Sequence, residues 1–164
     1  MNLSDYLRKQ YEFVTWADEL CVAAARTVPA EAVDKDFGFS FGSVRLTLVH
    51  MMSAQLTWLD RLTVDSDPTF PDPSGFPSLD AVAARWKSLH TEWQAFLAGK
   101  TDADFEKTIQ FKRQGKVLTS TVLNIVSHVF DHATHHRGQL NSLIKLAGGN
   151  PGYYGRNTWS AGQI

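Results

Sequence analysis

The sequence predicts an all-α fold, a four-helix bundle with a short β-hairpin before the last helix. Four long segments carry apolar residues at helical spacing, and three of them begin at or just after a serine that can cap a helix. The 164 residues suffice for one domain with a sizeable core, so we expect a single domain over residues 1–164. A hydrophobic fraction of 43% and a charged fraction of 20% are ordinary for a globular protein.

The first two helices are predicted over residues 4–27 and 43–64. Ser4 is the expected cap of the first helix, and Pro29 ends it. The main apolar stripe of the second helix is formed by Val44, Leu48, Met51, Met52, Gln55, Leu59 and Leu62. Between the two helices, residues 37–42 alternate Phe with small residues, which predicts an extended segment or turn whose Phe side chains pack on the bundle.

The third helix is predicted over residues 79–98 after Ser78, and the fourth over residues 119–147, where a Gly-Gly-Asn-Pro-Gly run stops it. Residues 65–77 hold four of the six prolines and are predicted to be a loop. Within residues 99–118, the least helical part, residues 108–112 alternate apolar and polar side chains before a Gln-Gly pair, which is typical of a hairpin. The residues after the fourth helix are expected to lie over the bundle as a tail.

Composition and motifs narrow the class of function. A net charge of -1, with no basic stripe, favours neither nucleic acid nor an anionic membrane as a partner. Cys21 is the only cysteine, so the chain has no internal disulfide and no Cys-based zinc site, which is compatible with a cytoplasmic location. We find no signal-peptide pattern and no apolar stretch of membrane-spanning length.

A histidine cluster is the strongest functional signal, since four of the six histidines fall within residues 128–136. The apolar arc of this helix is formed by Val122, Ile125, Val126, Val129, Ala133, Leu140, Leu143 and Ile144. On a helical wheel His136 falls inside that arc and His132 at its edge, whereas His128 and His135 lie beyond it. His132 and His136 are therefore best placed to face another helix.

Buried imidazoles need partners, and a divalent cation with a third ligand from another helix would satisfy both. Three histidines with one open position are a catalytic arrangement for zinc, and imidazole also suits nickel, iron or copper. Histidines that are exposed or hydrogen-bonded, without a metal, are the alternative. His50 shares a mixed face of the second helix with Arg61, so periodicity leaves open whether it faces a groove or water.

Three runs carry a family resemblance: Phe41-Gly42-Ser43, Leu48-Val49-His50 and His132-Ala133-Thr134-His135-His136-Arg137-Gly138-Gln139. With the order of the helices, they resemble the DinB-like (DinB/YfiT) family of bacterial helical-bundle metalloproteins over nearly the whole chain. The resemblance implies a four-helix bundle with an up-down-down-up type of arrangement, and it implies a homodimer. It also implies a divalent metal, for which we expect zinc or nickel, held by His50, His132 and His136 and completed by water.

We predict a metal-dependent enzyme in which the metal activates a thiol or water for attack on a small electrophilic substrate. Some members of the resembled family are transferases that use bacillithiol, mycothiol or glutathione, which implies a low-molecular-weight thiol as a possible co-substrate. A metal-dependent hydrolase is an alternative. Others are a non-catalytic or stress-related metal protein, with His128 as a fourth ligand, and a metal-free bundle that binds other proteins.

Other polar side chains receive lesser roles. His128, Asp131, His135 and Gln139 are candidates to orient the ligands or to transfer protons. Arg137 lies opposite His132 on the wheel, which predicts an ion pair at the surface or at an interface.

Two positions outside the cluster are assigned structural roles. His90 lies next to the apolar face of the third helix without a second ligand nearby, which predicts a structural histidine. The position of Gln55 is often acidic in the resembled family, so its amide weakens any proposal of a base there.

Overall fold

The computed structural model describes residues 1–64, 68–113 and 115–162, and for Arg113 it describes the backbone only. The long helices are α1 (Leu3–Ala25), α2 (Val44–Thr63), α3 (Leu79–Ala98) and α5 (Val122–Leu146), and two five-residue helices are α4 (Asp102–Glu106) and α6 (Arg156–Ser160). The strands are β1 (Thr108–Arg113) and β2 (Lys116–Thr121). The predicted four-helix bundle with a hairpin before its last long helix is confirmed.

The four long helices bury their apolar stripes against one another. Helix α1 packs on α3 and α5, and α2 packs on α5 and α3. The largest fully buried side chains are Trp86, Trp93, Tyr11, Phe105, Leu7, Leu48, Met51, Met52, Leu89, Leu97, Ile125 and Leu140. Burying a large apolar side chain stabilises a fold by about 1.5–3 kcal/mol, so these stripes provide the main force that holds the helices together.

The helix starts follow their capping residues. The Ser43 hydroxyl accepts from the backbone N–H of Leu46 at 3.2 Å, and Ser78 caps α3 in the same way, as predicted. The prediction that Ser4 caps α1 is wrong. Instead, Asn2 accepts from the backbone N–H of Asp5 at 2.8 Å, because α1 begins at Leu3 and its capping residue lies two positions before the serine. Ser4 is buried and donates to Asp102 of α4 at 2.7 Å.

The hairpin displaces the start of α5. β1 and β2 are antiparallel, with Thr108 opposite Thr121. Residues 119–121 therefore belong to β2, and the prediction that the fourth helix begins at residue 119 is wrong. Thr121 then caps α5 by accepting from the backbone N–H of Asn124 at 3.1 Å. Gly115 has φ +75° in the turn, which only glycine adopts readily, and Gln114, the other expected turn residue, lies outside the described residues.

The chain after α5 lies over α1 and α5, as expected of the tail. Trp159 meets Phe13 of α1 edge-on with ring centroids 5.6 Å apart. Asn141 of α5 holds the backbone of Gly152 through two hydrogen bonds of 2.8 and 3.1 Å. None of the helices in the described ranges is long and apolar enough to cross a membrane.

Candidate metal centre

Two packed helices bring three histidines to one point. His132 and His136 lie one turn apart on α5, and His50 faces them from α2. The Nε2 atom of His50 lies 3.0 Å from Nε2 of His132 and 3.2 Å from Nε2 of His136. One ligand atom from each residue falls within 4.8 Å of the others, so the three side chains could hold a metal ion together. His50, which periodicity left open, thus faces α5.

Exposure separates these three side chains from their neighbours on α5. His136 is 8% exposed and His132 is partly buried, whereas His128 and His135 are exposed, as the helical wheel predicts. The ring of His128 packs edge-on against Trp58 at 5.3 Å. Asp131 is exposed, and none of the contacts described around the three histidines involves it.

Gln139 orients one of the three imidazoles. The Nδ1–H of His136 donates to Oε1 of Gln139 at 2.7 Å, which leaves the lone pair on Nε2 directed at His50. The same amide oxygen accepts from the Ser40 hydroxyl at 2.9 Å, and the amide nitrogen donates to Nε2 of His135 at 3.0 Å. Of the four candidates for a supporting role, Gln139 therefore forms a hydrogen bond with one of the three. The ring of His135 meets that of His136 edge-on at 4.9 Å, and the ring of His128 lies 5.9 Å from that of His132.

The three imidazoles are held neutral. Burial, reinforced by the neighbouring histidines, lowers the pKa of His50 to about 4 and that of His132 to about 3. Burial also lowers the pKa of His136, while the hydrogen bond to Gln139 opposes that effect. Neutral imidazole is the form that binds metal, so the cluster is ready for a cation at neutral pH.

The spacing of the nitrogens tests the fit of a metal. Three neutral Nε2 atoms without a shared proton repel one another through their lone pairs, and a cation between them removes that repulsion. Zinc–imidazole bonds of about 2.0–2.1 Å in a tetrahedral shell place neighbouring nitrogens about 3.3 Å apart. The observed 3.0 and 3.2 Å are close to this value. The donor set fits a borderline-soft divalent ion such as zinc or nickel.

A cavity of about 350 Å³ opens beside His50. Its wall is formed by Phe41, Leu46, Val49, His50, Ser53, Phe70, Pro71, Asp72 and Pro73. Phe41 stacks on the ring of His50 at 3.7 Å between centroids, and Phe70 lies nearly parallel to His50 at 5.6 Å. The expectation that the Phe side chains of residues 37–42 pack on the bundle holds for Phe37, which packs against the core, and for Phe41, which stacks on His50 although it is 40% exposed. Phe39 is 41% exposed.

A second polar cluster lies deeper in the bundle. Asp18, fully buried, lies 3.4 Å from the guanidinium of Arg137 and 3.4 Å from Nε2 of His90, and accepts from the Gln55 amide at 2.6 Å. The Tyr11 hydroxyl in turn donates to Gln55 at 3.2 Å. The prediction of a surface or interface ion pair for Arg137 is therefore wrong, because α1 covers that side of α5 and supplies a buried carboxylate. His90 has the structural role predicted for it.

A cavity of about 390 Å³ between α1 and α3 borders this buried cluster and shares no lining residue with the cavity beside His50. Asp18 and His90, its buried ionisable lining residues, are paired with each other. No group of three potential metal ligands other than the three histidines is found in the described part of the chain.

The class of protein that these features define is a helical bundle with a three-histidine cluster joining two of its helices. The family model described as "DinB family" matches residues 1–163, and the chain belongs to the DinB family. A curated relative is Protein DinB from Bacillus subtilis (strain 168). It is 24% identical over 156 residues, which cover 89% of this chain and 88% of the relative.

Two solved structures share the fold. YfiT from Bacillus subtilis, described as a probable metal-dependent hydrolase with an unusual four-helix bundle topology, matches with a TM-score of 0.64 and 17% identity, over 90% of this chain and 91% of YfiT. A DinB-like protein from Bacillus cereus ATCC 10987 matches with a TM-score of 0.64 and 18% identity, over 85% of this chain and 91% of that protein.

Proposed function

We propose that this protein is a divalent-metal-dependent enzyme in which His50, His132 and His136 hold the metal, zinc or nickel. The observation that carries the proposal is the convergence of three neutral Nε2 atoms beside a cavity of substrate size. When bound, the metal would supply Lewis acidity that lowers the pKa of a water ligand and makes a nucleophile at neutral pH. The reaction class is hydrolysis of a small electrophile, and the description of YfiT as a probable metal-dependent hydrolase supports it.

The residues around the cluster support this role. Gln139 holds His136 in the tautomer that presents Nε2, and Phe41 covers one face of His50, which limits the approach of bulk water from that side. A structural metal site would be closed by a fourth protein ligand. His128 is the obvious candidate for that ligand, but it is exposed and its ring packs on Trp58, which favours an open position and therefore catalysis.

A thiol-dependent transfer, implied by the family resemblance, is the alternative reaction of the same site. Bacillithiol, mycothiol and glutathione are polar thiols, and two of them carry carboxylates that a binding site would pair with cations. Neither Lys nor Arg is found among the residues that line the described cavity beside His50. We therefore propose water rather than a thiol as the nucleophile.

Metal content tests the proposed ligands. Wild-type protein purified without an affinity tag and dialysed against zinc or nickel should retain one equivalent of that metal. His132→Ala treated in the same way should retain none. His128→Ala is the matched control, because it removes an exposed histidine from the same helix four residues away and should retain the metal. Equal metal content in wild type and His132→Ala would refute the site.

The nucleophile can be tested separately. Metal-loaded protein is assayed on a panel of small esters and amides, with and without each low-molecular-weight thiol. We expect turnover without any thiol, which chelation and His132→Ala both abolish. Turnover that requires a thiol would assign the transferase reaction instead.

A further inference from the structure

We infer that the cavity beside His50 takes a non-anionic, single-ring aromatic ester or amide as substrate. This inference deepens the proposed function and rests on it for the reacting group. It stands on the wall of the cavity, on the orientation of the rings there, and on its charge.

The wall of the cavity beside His50 is apolar and aromatic although it is exposed to solvent. Six of its nine residues are apolar, namely Phe41, Leu46, Val49, Phe70, Pro71 and Pro73. Phe41 and Phe70 are 40% and 51% exposed, although large aromatic side chains are more stable when they are covered. Exposed aromatic rings grouped at one concave site are typical of a ligand-binding surface.

The rings favour a flat partner. The planes of Phe41 and Phe70 are inclined by only 18° and 11° to the plane of His50, so the three rings are nearly parallel. A planar ring can join such a set by offset stacking, whereas a saturated ring of the same size is thicker and gains less contact. The volume of about 350 Å³ is near the lower end of ligand cavities, which suits one ring with a short acyl or amide group.

The charges around the cavity disfavour an anionic substrate. Asp72 is the one carboxylate in the lining of the described cavity, and no Lys or Arg there would neutralise an acidic ligand. The Asp72 carboxylate already accepts from the backbone N–H of Ser74 at 2.8 Å, which stabilises its charged form. An anionic ligand would therefore meet a like charge and apolar walls, at a cost in desolvation.

Ser53 supplies a polar group at the inner wall. It follows His50 by three residues on α2, so the two side chains share a face of that helix. Ser53 is 1% exposed, and within the described part of the chain its hydroxyl has no hydrogen-bond partner. A carbonyl oxygen of a bound ester or amide could accept from this hydroxyl, which would direct the acyl group towards the three histidines.

Ligand-observed NMR titration of the metal-loaded protein tests the inference with three matched probes. Benzamide is flat and neutral, cyclohexanecarboxamide is neutral but not flat, and benzenesulfonate is flat but anionic and a poor metal ligand. We expect benzamide to bind at least fivefold more tightly than either of the others. Equal affinities, or tighter binding of benzenesulfonate, would overturn the inference.

Two Phe variants locate the binding. Phe70→Ala should weaken benzamide binding at least threefold and remove its advantage over cyclohexanecarboxamide. Phe39→Ala is the matched control, because Phe39 is also an exposed ring, at 41% against 51% for Phe70, but does not line the cavity. If both variants weaken binding equally, or neither does, the assignment to this cavity is wrong. Ser53→Ala should weaken benzamide and cyclohexanecarboxamide by the same factor, because it removes only the amide contact.

These titrations separate the inference from the proposed function. If the protein prefers benzamide but never hydrolyses an ester or amide, the substrate class of the cavity stands and the proposed reaction fails. If aliphatic and aromatic esters are hydrolysed at the same rate and benzamide has no advantage, the reaction stands and the inference fails.

Discussion

His136 and Arg137 are consecutive residues of α5, yet they belong to two polar clusters of opposite character. His136 faces α2, where it meets His50 and His132 beside a cavity. Arg137 faces α1, where the buried carboxylate of Asp18 compensates its charge. Both side chains are buried, with exposures of 8% and 4%, so burial alone does not distinguish the two sites.

The two clusters differ in whether their side chains pair hydrogen-bond donors with acceptors. Around Asp18, donors meet acceptors: the carboxylate receives Gln55 and lies beside Arg137 and His90. Around His50, three neutral imidazoles direct like atoms at one another. Opposite charges and matched donors stabilise the fold without a ligand, whereas three neutral imidazole nitrogens that point at one another can also bind a cation. The pairing of charges and hydrogen-bond donors with acceptors therefore distinguishes the structural cluster around Asp18 from the binding site around His50, although the two meet at neighbouring residues of α5.

The largest expected effect is on the matched cluster. Asp18→Ala leaves the buried guanidinium of Arg137 without its carboxylate, and we expect a loss of about 3–5 kcal/mol in the free energy of unfolding. Urea unfolding followed by far-UV circular dichroism measures it. Asp131→Ala is the control, since this exposed carboxylate on α5 should change stability by no more than about 0.5 kcal/mol. An Asp18→Ala protein with the unfolding free energy of the wild type would contradict the structural role of this cluster.

The histidine cluster should behave in the opposite way. The free energy of unfolding of metal-free His132→Ala should lie within about 1 kcal/mol of that of the metal-free wild type, because His132 is a neutral and only partly buried side chain. Zinc at a hundred times its Kd should stabilise the wild type by about 2.7 kcal/mol and leave His132→Ala unchanged. His128→Ala should respond as the wild type does. Thermal unfolding with and without zinc measures all three, and zinc stabilisation of His132→Ala would contradict the assignment.

A smaller effect is expected at Gln139, which orients His136 without being a ligand. Gln139→Leu removes the acceptor for the Nδ1–H of His136, and we expect metal affinity to fall about 10–100-fold. Competition with a chromogenic chelator measures the change. Gln139→Glu keeps an acceptor oxygen and should restore most of the affinity, and unchanged affinity in Gln139→Leu would show that the tautomer of His136 is set elsewhere.

The smallest effect is the acid sensitivity of the metal-free protein. The pKa of His50 is about 4 and that of His132 about 3 in the folded state, below the ordinary value of 6.5 that applies when the chain is unfolded. Above pH 6.5 both states are neutral and stability is complete. As the pH falls below 6.5 the unfolded state takes up protons that the folded cluster does not, so stability declines towards pH 4.

Urea midpoints at pH 7.5 and pH 5.0 measure this decline. We expect a larger drop in the metal-free wild type than in metal-free His132→Ala, which has one fewer histidine of lowered pKa. Identical drops in the two proteins would contradict a neutral cluster.

Local rules account for the parts of the fold that the sequence predicts. Ser43 and Ser78 cap their helices, and the alternating residues before α5 form the hairpin. The errors arise where two signals compete. Asn2 and Ser4 are both good caps, and the Ser4 hydroxyl instead bonds to the distant Asp102. Thr119 suits either a strand or a helix start, and its pairing with Gln110 in the hairpin decided the outcome.

The orientation of His132 and His136 could be predicted in the same way, since it depends only on the apolar arc of a single helix. The sequence did not predict that His50 joins them, because α2 packs on both α5 and α3 and therefore buries more of its surface than its main apolar stripe. Arg137 was misjudged for a related reason: α5 packs on both α1 and α2, which widens its buried arc beyond its apolar residues.

The primary structure alone thus determined four amphipathic helices, most of their ends, and a pair of imidazoles one turn apart, because these depend on residues near each other in the chain. Tertiary packing decided that His50 completes the pair, that Asp18 neutralises Arg137, and that Phe41 and Phe70 wall a cavity beside His50. Each of these contacts joins residues far apart in sequence, and such contacts exist only once the helices have chosen which faces to bury.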